Sequence, residues 1–395
     1  MRPDLQRAFI ERVTTDSYRS FKNELQAGLG MEIAFRICEM PIFVSHDFRR
    51  DLEAAAVEII QQCIRPTYLA QTDRALTPET TVRNENDRPL FSVVDFAVCQ
   101  NDQGAWVPKL IELQGFPSLL GYQYLYASRM REAYEMWETT PFFSDLDHER
   151  YVDLLRQCIY GSHSPEEVAL VEVDPDAQKT RPDFIAMEQL IGLRTVNIRN
   201  VVKDGRNLFV RSEDGTLTPL KRIFNRAIVD ELNDMGVELN FAWNDDLDVE
   251  WAGHPNWYFR ISKYSLPHLD HPAVPKTSFL HELTELPSDL DRFVLKPLYS
   301  FAGKGVNVSP TREDISAIPA DQRENWVLQE KVTYAECIET PYGNNKVEIR
   351  VMLLWPDSHD APIPVMSLGR SGRGALMGAR YNTDPWTGST GCLFV

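Results

Sequence analysis

The residues best suited to chemistry lie around Lys296, which closes the short apolar run Phe293-Val-Leu-Lys296. A loop with Gly303 and Gly305 follows. A lysine on a strand offers a point charge to phosphate oxygens, and the glycines let backbone N–H groups approach the same anion. The loop is not a P-loop, since Gly303-Lys304 is followed by Gly305 and Val306 and no Ser or Thr comes after the lysine. Alone, such a segment is more often structural, so other residues must support a polyphosphate site.

A second group of candidates lies in a predicted β-hairpin. Asp95 and Glu112 fall on its two strands, and Gln114 shares the face of Glu112 because strand side chains alternate. Two carboxylates and an amide oxygen would suit Mg²⁺. From the hairpin alone, we would assign them to a solvent-facing polar surface. The run Leu110-Ile-Glu-Leu113 changes that assignment, because an acid between aliphatic neighbours is costly to bury without a cation.

Composition restricts the class of protein. The 395 residues predict about two to three domains, and 43% hydrophobic with 25% charged residues is typical of a globular chain. A formal net charge of −17 argues against a general nucleic-acid binder. The six cysteines form no C-x-x-C pair, so neither a disulfide framework nor a zinc site is expected. No run approaches the roughly 18 apolar residues of a membrane span, so we expect a cytoplasmic protein with no membrane partner.

The periodicity predicts an order of elements. Residues 1 to about 80 are expected to be mainly helical, followed by the hairpin of 90–99 and 106–113 and a helix over about 122–139. A β-α-β pattern follows over 168–198, then a hairpin turning at Gly215 and a strand over 220–228. The lysine strand and two further strands, over 326–332 and 346–355, complete the pattern.

These motifs together resemble the ATP-grasp family. Lys296 with its glycine loop is similar to the phosphate-binding element, Val327-Leu-Gln-Glu-Lys-Val332 to the adenine hinge, and Asp95, Glu112 and Gln114 to the metal motif. Here the metal motif precedes the lysine strand, the reverse of the usual order. This order resembles the circularly permuted branch that contains eukaryotic-type glutathione synthetase and, more distantly, glutathionylspermidine synthetase.

The resemblance implies an α/β (α+β) chain with the ATP-grasp fold in permuted order, a Rossmann-like pre-ATP-grasp substrate domain and a helical N-terminal segment. The expected boundaries are 1–85 for the helical segment and 86–160 for the metal-binding half. The substrate domain is expected over 161–250. The nucleotide-binding part, with a lid and a glycine-rich substrate loop, is expected over 251–395.

The resemblance also implies roles for individual residues. Nucleotide contacts fall on Lys263, Lys296, Ser300, Gly303, Gly305, Gln329, Glu330, Val332 and Glu348. Within that set, the hinge residues would bind adenine through the backbone and Glu348 would accept the ribose hydroxyls. Metal ligands would be Asp95, Glu112 and Gln114, catalytic contacts Arg350, Arg370 and Asn382, and substrate contacts Ser118 and Arg226.

Two positions depart from the family pattern. Gln114 replaces the usual asparagine, and Ser300 stands about where glutathione synthetases have an acidic metal ligand. The residues that bind substrate in glutathione synthetase are not otherwise evident, so its substrate is not carried over.

The implied activity is an ATP-dependent ligase that joins a carboxylate to an amine or thiol through an acylphosphate, with ATP and two Mg²⁺ ions as cofactors. An ATP-grasp kinase or an inactive nucleotide-binding regulatory protein are alternatives. Small-molecule or peptide-like substrates, no nucleic acid and no membrane partner are expected, and homodimerisation stays open.

Overall fold

A computed structural model describes residues 1–77, 80–229, 232, 235–298, 305–378 and 381–395 of the chain. The helices are α1 Pro3–Arg12, α2 Thr15–Leu29, α3 His46–Gln62, α4 Pro66–Thr72, α5 Leu120–Ala133, α6 His148–Tyr160 and α7 Arg181–Ile191. Short helices also span Pro255–Arg260 and Arg312–Ser316. Within the described ranges, no helix has the length and apolar character to cross a bilayer.

The strands form five sheets. They are β1 Ile42–Val44, β2 Phe91–Gln100, β3 Trp106–Gln114, β4 Val168–Glu172, β5 Thr195–Asn197, β6 Val201–Asp204, β7 Asn207–Arg211, β8 Leu217–Leu220, β9 Arg222–Asn225, β10 Glu250–Ala252, β11 Thr277–Phe279, β12 Phe293–Pro297, β13 Trp326–Glu330, β14 Glu336–Thr340, β15 Gly343–Leu354, β16 Ile363–Gly372, β17 Gly388–Thr390 and β18 Cys392–Phe394.

The largest sheet, here the main sheet, has the order β17-β16-β15-β2-β3, with β14 also paired to β15. All its pairings are antiparallel. Alternation divides β15 between two environments: Val347, Ile349 and Val351 are fully buried in the core, which α3 also joins. Lys346, Glu348 and Arg350 therefore project from the opposite face.

A three-stranded antiparallel sheet, β11-β13-β12, carries Lys296 and is called here the lysine sheet. A parallel sheet of order β10-β9-β4-β5 is built around β4, whose five residues are all buried. Burial on both faces explains the continuous apolar run of that strand. The antiparallel sheet β6-β7-β8 and the parallel pair β1-β18 complete the set.

The sequence predictions are confirmed for the mixed α/β class, the β2–β3 hairpin, the β4-α7-β5 unit and the lysine strand. The helix predicted over 122–139 ends earlier, at Ala133. Glu135 has a φ of 53°, which an α-helix cannot accommodate. The connection after the hinge contains the additional strand β14. The N-terminal helices pack into one core with the main sheet, and the domain boundaries stay predictions.

Gly115 is a point of close approach that holds the end of β3 in place. Its N–H donates to the Ile261 carbonyl at 2.9 Å. A Cβ at this position would lie 2.4 Å from the Trp257 carbonyl oxygen and 3.1 Å from the Ile261 Cβ. The chain beyond Glu112 and Gln114 is therefore fastened to the segment that leads to Lys263.

We expect Gly115→Ala to lower the free energy of unfolding by roughly 1–3 kcal/mol, because a backbone oxygen cannot yield the space. The matched control is Gly28→Ala in α2, where a Cβ would meet no atom within 4 Å. That change should leave stability equal or higher by up to about 1 kcal/mol, as alanine favours helix. Denaturant titration of both variants measures the difference, and equal effects would contradict the close-approach argument.

Candidate active site

A cavity of about 920 Å³ lies between the main sheet and the lysine sheet. Its walls come from β3 and β15–β16 on one side and from β12–β13 on the other. The short segments 374–378 and 388–389 also line it, as do Phe35, Leu119, Lys179 and Thr180. Two antiparallel sheets thus enclose one space, and most of the predicted site residues face it.

The cavity is cationic in a chain of net charge −17. Among the described residues, seven basic side chains line it: Lys179, Lys263, Lys296, Lys331, Lys346, Arg350 and Arg370. Three acidic side chains from the same part of the chain also line it: Glu112, Glu330 and Glu348. This local excess of positive charge favours a ligand with several negative charges.

Lys296 is held from both sides at the wall of the cavity. The side chain is buried, and its Nζ donates to the Gln329 Oε1 at 2.6 Å and to the Ile111 carbonyl at 2.9 Å. The second contact depends on a β-bulge, because the register passes from Asp95–Glu112 to Phe96–Leu110 and leaves Ile111 as the extra residue. Burial lowers the pKa of Lys296 to about 8.

Lys263 lies close to Glu112 and comes from a different element than Lys296. It begins a 3₁₀ helix, Lys263–His268, and is also buried. Its Nζ lies 3.9 Å from the Glu112 Oε2. Burial lowers the pKa of Lys263, and the charge of Glu112 partly offsets that effect. The two predicted nucleotide-binding lysines are therefore both buried and both close to β3.

Asp95 forms the centre of an ion-pair network on the main sheet. Arg350 Nε donates to its Oδ1 at 2.6 Å and Nη2 to its Oδ2 at 2.7 Å, and Arg370 Nη1 donates to Oδ2 at 3.2 Å. Burial alone would raise the pKa of Asp95, which is 1% exposed, but the two arginines outweigh it and hold the pKa at about 2.

Arg370 links this network to Glu348. The two side chains form an ion pair, and the Tyr334 hydroxyl donates to the other Glu348 oxygen at 2.9 Å. Burial would lower the pKa of Arg370, but Asp95 and Glu348 outweigh it and raise the pKa. Burial raises the pKa of Glu348 despite the nearby Arg370. Sequence reasoning missed Tyr334, because no pattern marks a contact made across the sheet.

Residues 329–332 of the predicted adenine hinge line the cavity. Val294, Val306 and Leu368 are apolar residues of the same lining. The N–H groups of Glu330 and Lys331 already donate to the carbonyls of Lys276 and Arg292, each at 2.8 Å. The side-chain Oε1 of Gln329 accepts a hydrogen bond from Lys296.

Several predicted residues lie beside the cavity rather than in its lining. Asn382 Nδ2 donates to the Met377 carbonyl at 2.8 Å and so braces the segment that does line the cavity. Arg226 donates to the Pro117 carbonyl and lies over the rings of Phe116 and Phe184.

The remaining predicted positions lie near the cavity or outside the described chain. The Ser118 hydroxyl accepts from Arg350 Nη1 at 2.9 Å. Gly305 has a φ of 74°, a value that favours glycine. Ser300 and Gly303 lie outside the described residues.

The donor set fits a divalent cation only in part. Among the described residues, no group of three or more His, Cys, Asp or Glu side chains could hold a metal ion. Both Asp95 oxygens accept from arginines, whereas Glu112 is 23% exposed and faces the cavity beside Gln114. Mg²⁺ is commonly held by one or two carboxylates together with substrate phosphates and water. Glu112 and Gln114 meet that requirement, and the metal role of Asp95 stays a prediction.

Comparison with solved structures finds a similar fold in a glutathione synthetase-like effector from Globodera pallida in its apo form. The two chains are 12% identical, with a TM-score of 0.59 over 96% of each chain. The likeness shows a shared fold over nearly the whole chain. No protein-family model and no curated protein matches the sequence.

Replacing Asp95 should be costly, because two arginines would lose a buried partner. We expect Asp95→Asn to lower the free energy of unfolding at pH 7 by about 3–5 kcal/mol, measured by denaturant titration. Asp47→Asn, which breaks an exposed pair with Arg50, is the control and should cause no measurable change.

The same contact predicts an acid dependence. The folded pKa of about 2 lies below the ordinary 3.8, so the stabilisation is present above about pH 4 and is lost as the pH falls towards 2. Its size is roughly 2 kcal/mol. The unfolding free energy of the wild type should fall over that range by this much more than that of Asp95→Asn, and parallel curves would contradict the argument.

Proposed function

We propose that this chain is an ATP-dependent ligase that joins a carboxylate to an amine through an acylphosphate intermediate. The observation that carries the proposal is the approach of two buried lysines, Lys263 and Lys296, to the carboxylate strand β3 inside a cationic cavity. Burial disfavours the charged form of both lysines, as their lowered pKa values show. The phosphates of a nucleotide would add negative charge beside them.

The order of the elements supports an ATP-grasp fold in permuted form. β2 and β3, which carry Asp95, Glu112 and Gln114, precede the lysine sheet in the chain, yet β2 pairs with β15, which follows it. One active site is thereby assembled from distant segments. The fold shared with a glutathione synthetase-like protein agrees with this reading.

Apolar residues of the lining suit the nucleotide base. Val294 and Val306 line the cavity together with the predicted hinge residue Val332 and would offer the base apolar contact area. The phosphates would then extend towards Lys263 and Lys296. Glu348, whose oxygens contact Arg370 and the Tyr334 hydroxyl, lies on the main-sheet wall and is the candidate for the ribose hydroxyls.

The chemistry that fits this arrangement is phosphoryl transfer followed by displacement. A substrate carboxylate oxygen attacks the γ-phosphorus of ATP, and the bond to the β-phosphate oxygen breaks, which releases ADP. An amine nitrogen then attacks the acyl carbon; the C–N bond forms, the C–O bond breaks, and phosphate leaves as the nitrogen loses a proton. Lys263, Lys296, Arg350 and Arg370 supply the positive charge that the phosphoryl group requires.

Glu112 and Gln114 are the residues that would hold Mg²⁺ together with the phosphates. When bound, the ion would neutralise phosphate charge during transfer. Water exclusion falls to the segment 374–378, which covers the cavity and is braced by Asn382. Exclusion matters because an acylphosphate is hydrolysed when wet.

A nucleotide that binds only the folded chain raises its melting temperature, with a stabilisation of about 2.7 kcal/mol at a ligand concentration of 100 Kd. We expect a magnesium-dependent shift with ATP, measured by calorimetry, and its loss in Lys296→Ala. Lys203→Ala is the control. It removes a lysine on β6 that pairs with Asp245, and it should keep the wild-type shift. No shift with Mg-ATP would reject the proposed function.

Product analysis separates a ligase from a kinase. A ligase should release both ADP and phosphate when a carboxylate and an amine are present together, whereas a kinase would release ADP alone with a hydroxyl-bearing substrate.

Glu112→Ala should retain nucleotide binding more than Lys296→Ala does, yet lose turnover, because its role lies in metal-dependent transfer.

The pKa of Lys296 predicts proton uptake on nucleotide binding. At pH 8 the lysine is about half protonated without ligand, because its pKa is about 8, and nearby phosphates would restore the full charge. Binding should therefore take up about half a proton at pH 8 and almost none from this lysine at pH 6.5. The affinity should fall as the pH rises above 8.

Calorimetry in buffers of different ionisation enthalpy measures the uptake. The terminal phosphate does not contribute at pH 8, since its second pKa is about 6. Lys296→Arg is the matched variant, because an arginine stays charged at this pH. Equal proton uptake by wild type and Lys296→Arg would show that Lys296 is not the group that titrates.

A further inference from the structure

Arg350 occupies a central position among the acids of the main sheet. The register aligns it with Asp95, and Asp95 with Glu112, across three neighbouring strands. Its guanidinium makes the two-pronged contact with Asp95, and Nη2 also lies 3.8 Å from the Glu112 Oε1. One cationic group therefore contacts one carboxylate and lies close to the other.

This position is one that a cation must fill. Two carboxylates directly opposite on neighbouring strands repel each other, and Asp95 is 1% exposed, so water cannot screen its charge. A guanidinium supplies a positive charge at any physiological pH, and its two parallel N–H groups match the two oxygens of a carboxylate.

Arg350 has a further hydrogen-bond partner besides Asp95. Its Nη1 donates to the Ser118 hydroxyl at 2.9 Å, and the side chain lies on the wall of the cavity. Asp95 in turn accepts from Arg370 as well. A metal ion that bound both Asp95 oxygens would have to displace the two-pronged contact with Arg350.

We infer that the Arg350 guanidinium takes the place of one of the two metal ions that the sequence resemblance implies, so that the site holds a single divalent cation. That cation is held by Glu112 and Gln114 with the phosphates, and Asp95 is a positioning residue for Arg350 and Arg370. The inference rests on the proposed function for its nucleotide, but the exclusion of a metal from Asp95 is a property of the chain alone.

The first test therefore uses no nucleotide. Mn²⁺ binding is followed by electron paramagnetic resonance, which counts free and bound ions, in wild type, Arg350→Met and Arg350→Lys. Arg350→Met removes the two-pronged contact and leaves Asp95 paired with Arg370, so Asp95 and Glu112 can share a cation, and the variant should bind one Mn²⁺ at least tenfold more tightly than wild type. Arg350→Lys keeps a positive charge there and should bind Mn²⁺ no better than wild type.

Two control variants test whether a gain in Mn²⁺ binding is specific to the loss of Arg350 beside a charged Asp95. Arg373→Met removes an arginine that contacts Asn345 and Pro385 but not Asp95, and it should gain no Mn²⁺. The double variant Asp95→Asn, Arg350→Met leaves no unpaired charge at Asp95 and should also gain none. Equal Mn²⁺ binding by wild type and Arg350→Met would overturn the inference.

The second test uses the wild type and so does not depend on a variant that folds. With a non-hydrolysable ATP analogue at saturation, bound Mn²⁺ should reach one per bound nucleotide, and two per nucleotide would overturn the inference. Fluorescence of a labelled nucleotide measures nucleotide binding separately. Absent nucleotide binding would reject the proposed function, while the nucleotide-free test would still decide the role of Arg350.

Discussion

The structure depends on the burial of charge between two sheets. The Asp95 carboxylate is enclosed on the main sheet, and only its contacts with Arg350 and Arg370 make that burial tolerable. Because each arginine comes from a different strand, these contacts also fix how β2, β15 and β16 present their side chains. Two of the cations on the cavity wall, Arg350 and Arg370, are therefore held in place by one buried acid.

The lysine sheet meets this wall through a defect in the β-ladder. The bulge at Ile111 frees a carbonyl that a regular hairpin would use for pairing, and Lys296 reaches it from the opposite sheet. Two antiparallel sheets have no shared ladder to align them, so such side-chain contacts set their relative position. The bulge at Ile111 therefore contributes both to the position of the two sheets and to the contacts of Lys296.

The sequence predicted those parts of the site that local pattern encodes. Strand alternation placed Glu112 and Gln114 on one face, and the apolar run before Lys296 marked its strand. The contact between Arg350 and Asp95 could not be predicted in this way, because 255 residues separate the two and no period links them. The catalytic contact that the resemblance implies for Asn382 stays a prediction, and the hydrogen bond from its amide to the Met377 carbonyl is one that only the loop geometry reveals. The side-chain role of Gln329 was missed for the same reason.

The charge distribution sets what can enter such a cavity. A chain of net charge −17 repels anions at long range, yet seven basic side chains line the cavity. Screening removes the long-range repulsion at physiological salt, where the Debye length is about 8 Å, but it acts weakly on charges enclosed between two sheets. The enclosed lysines and arginines therefore retain their attraction for a polyanion. Burial lowers the pKa of Lys263 and Lys296, so an anion that entered the cavity beside them would raise the fraction of each that is charged.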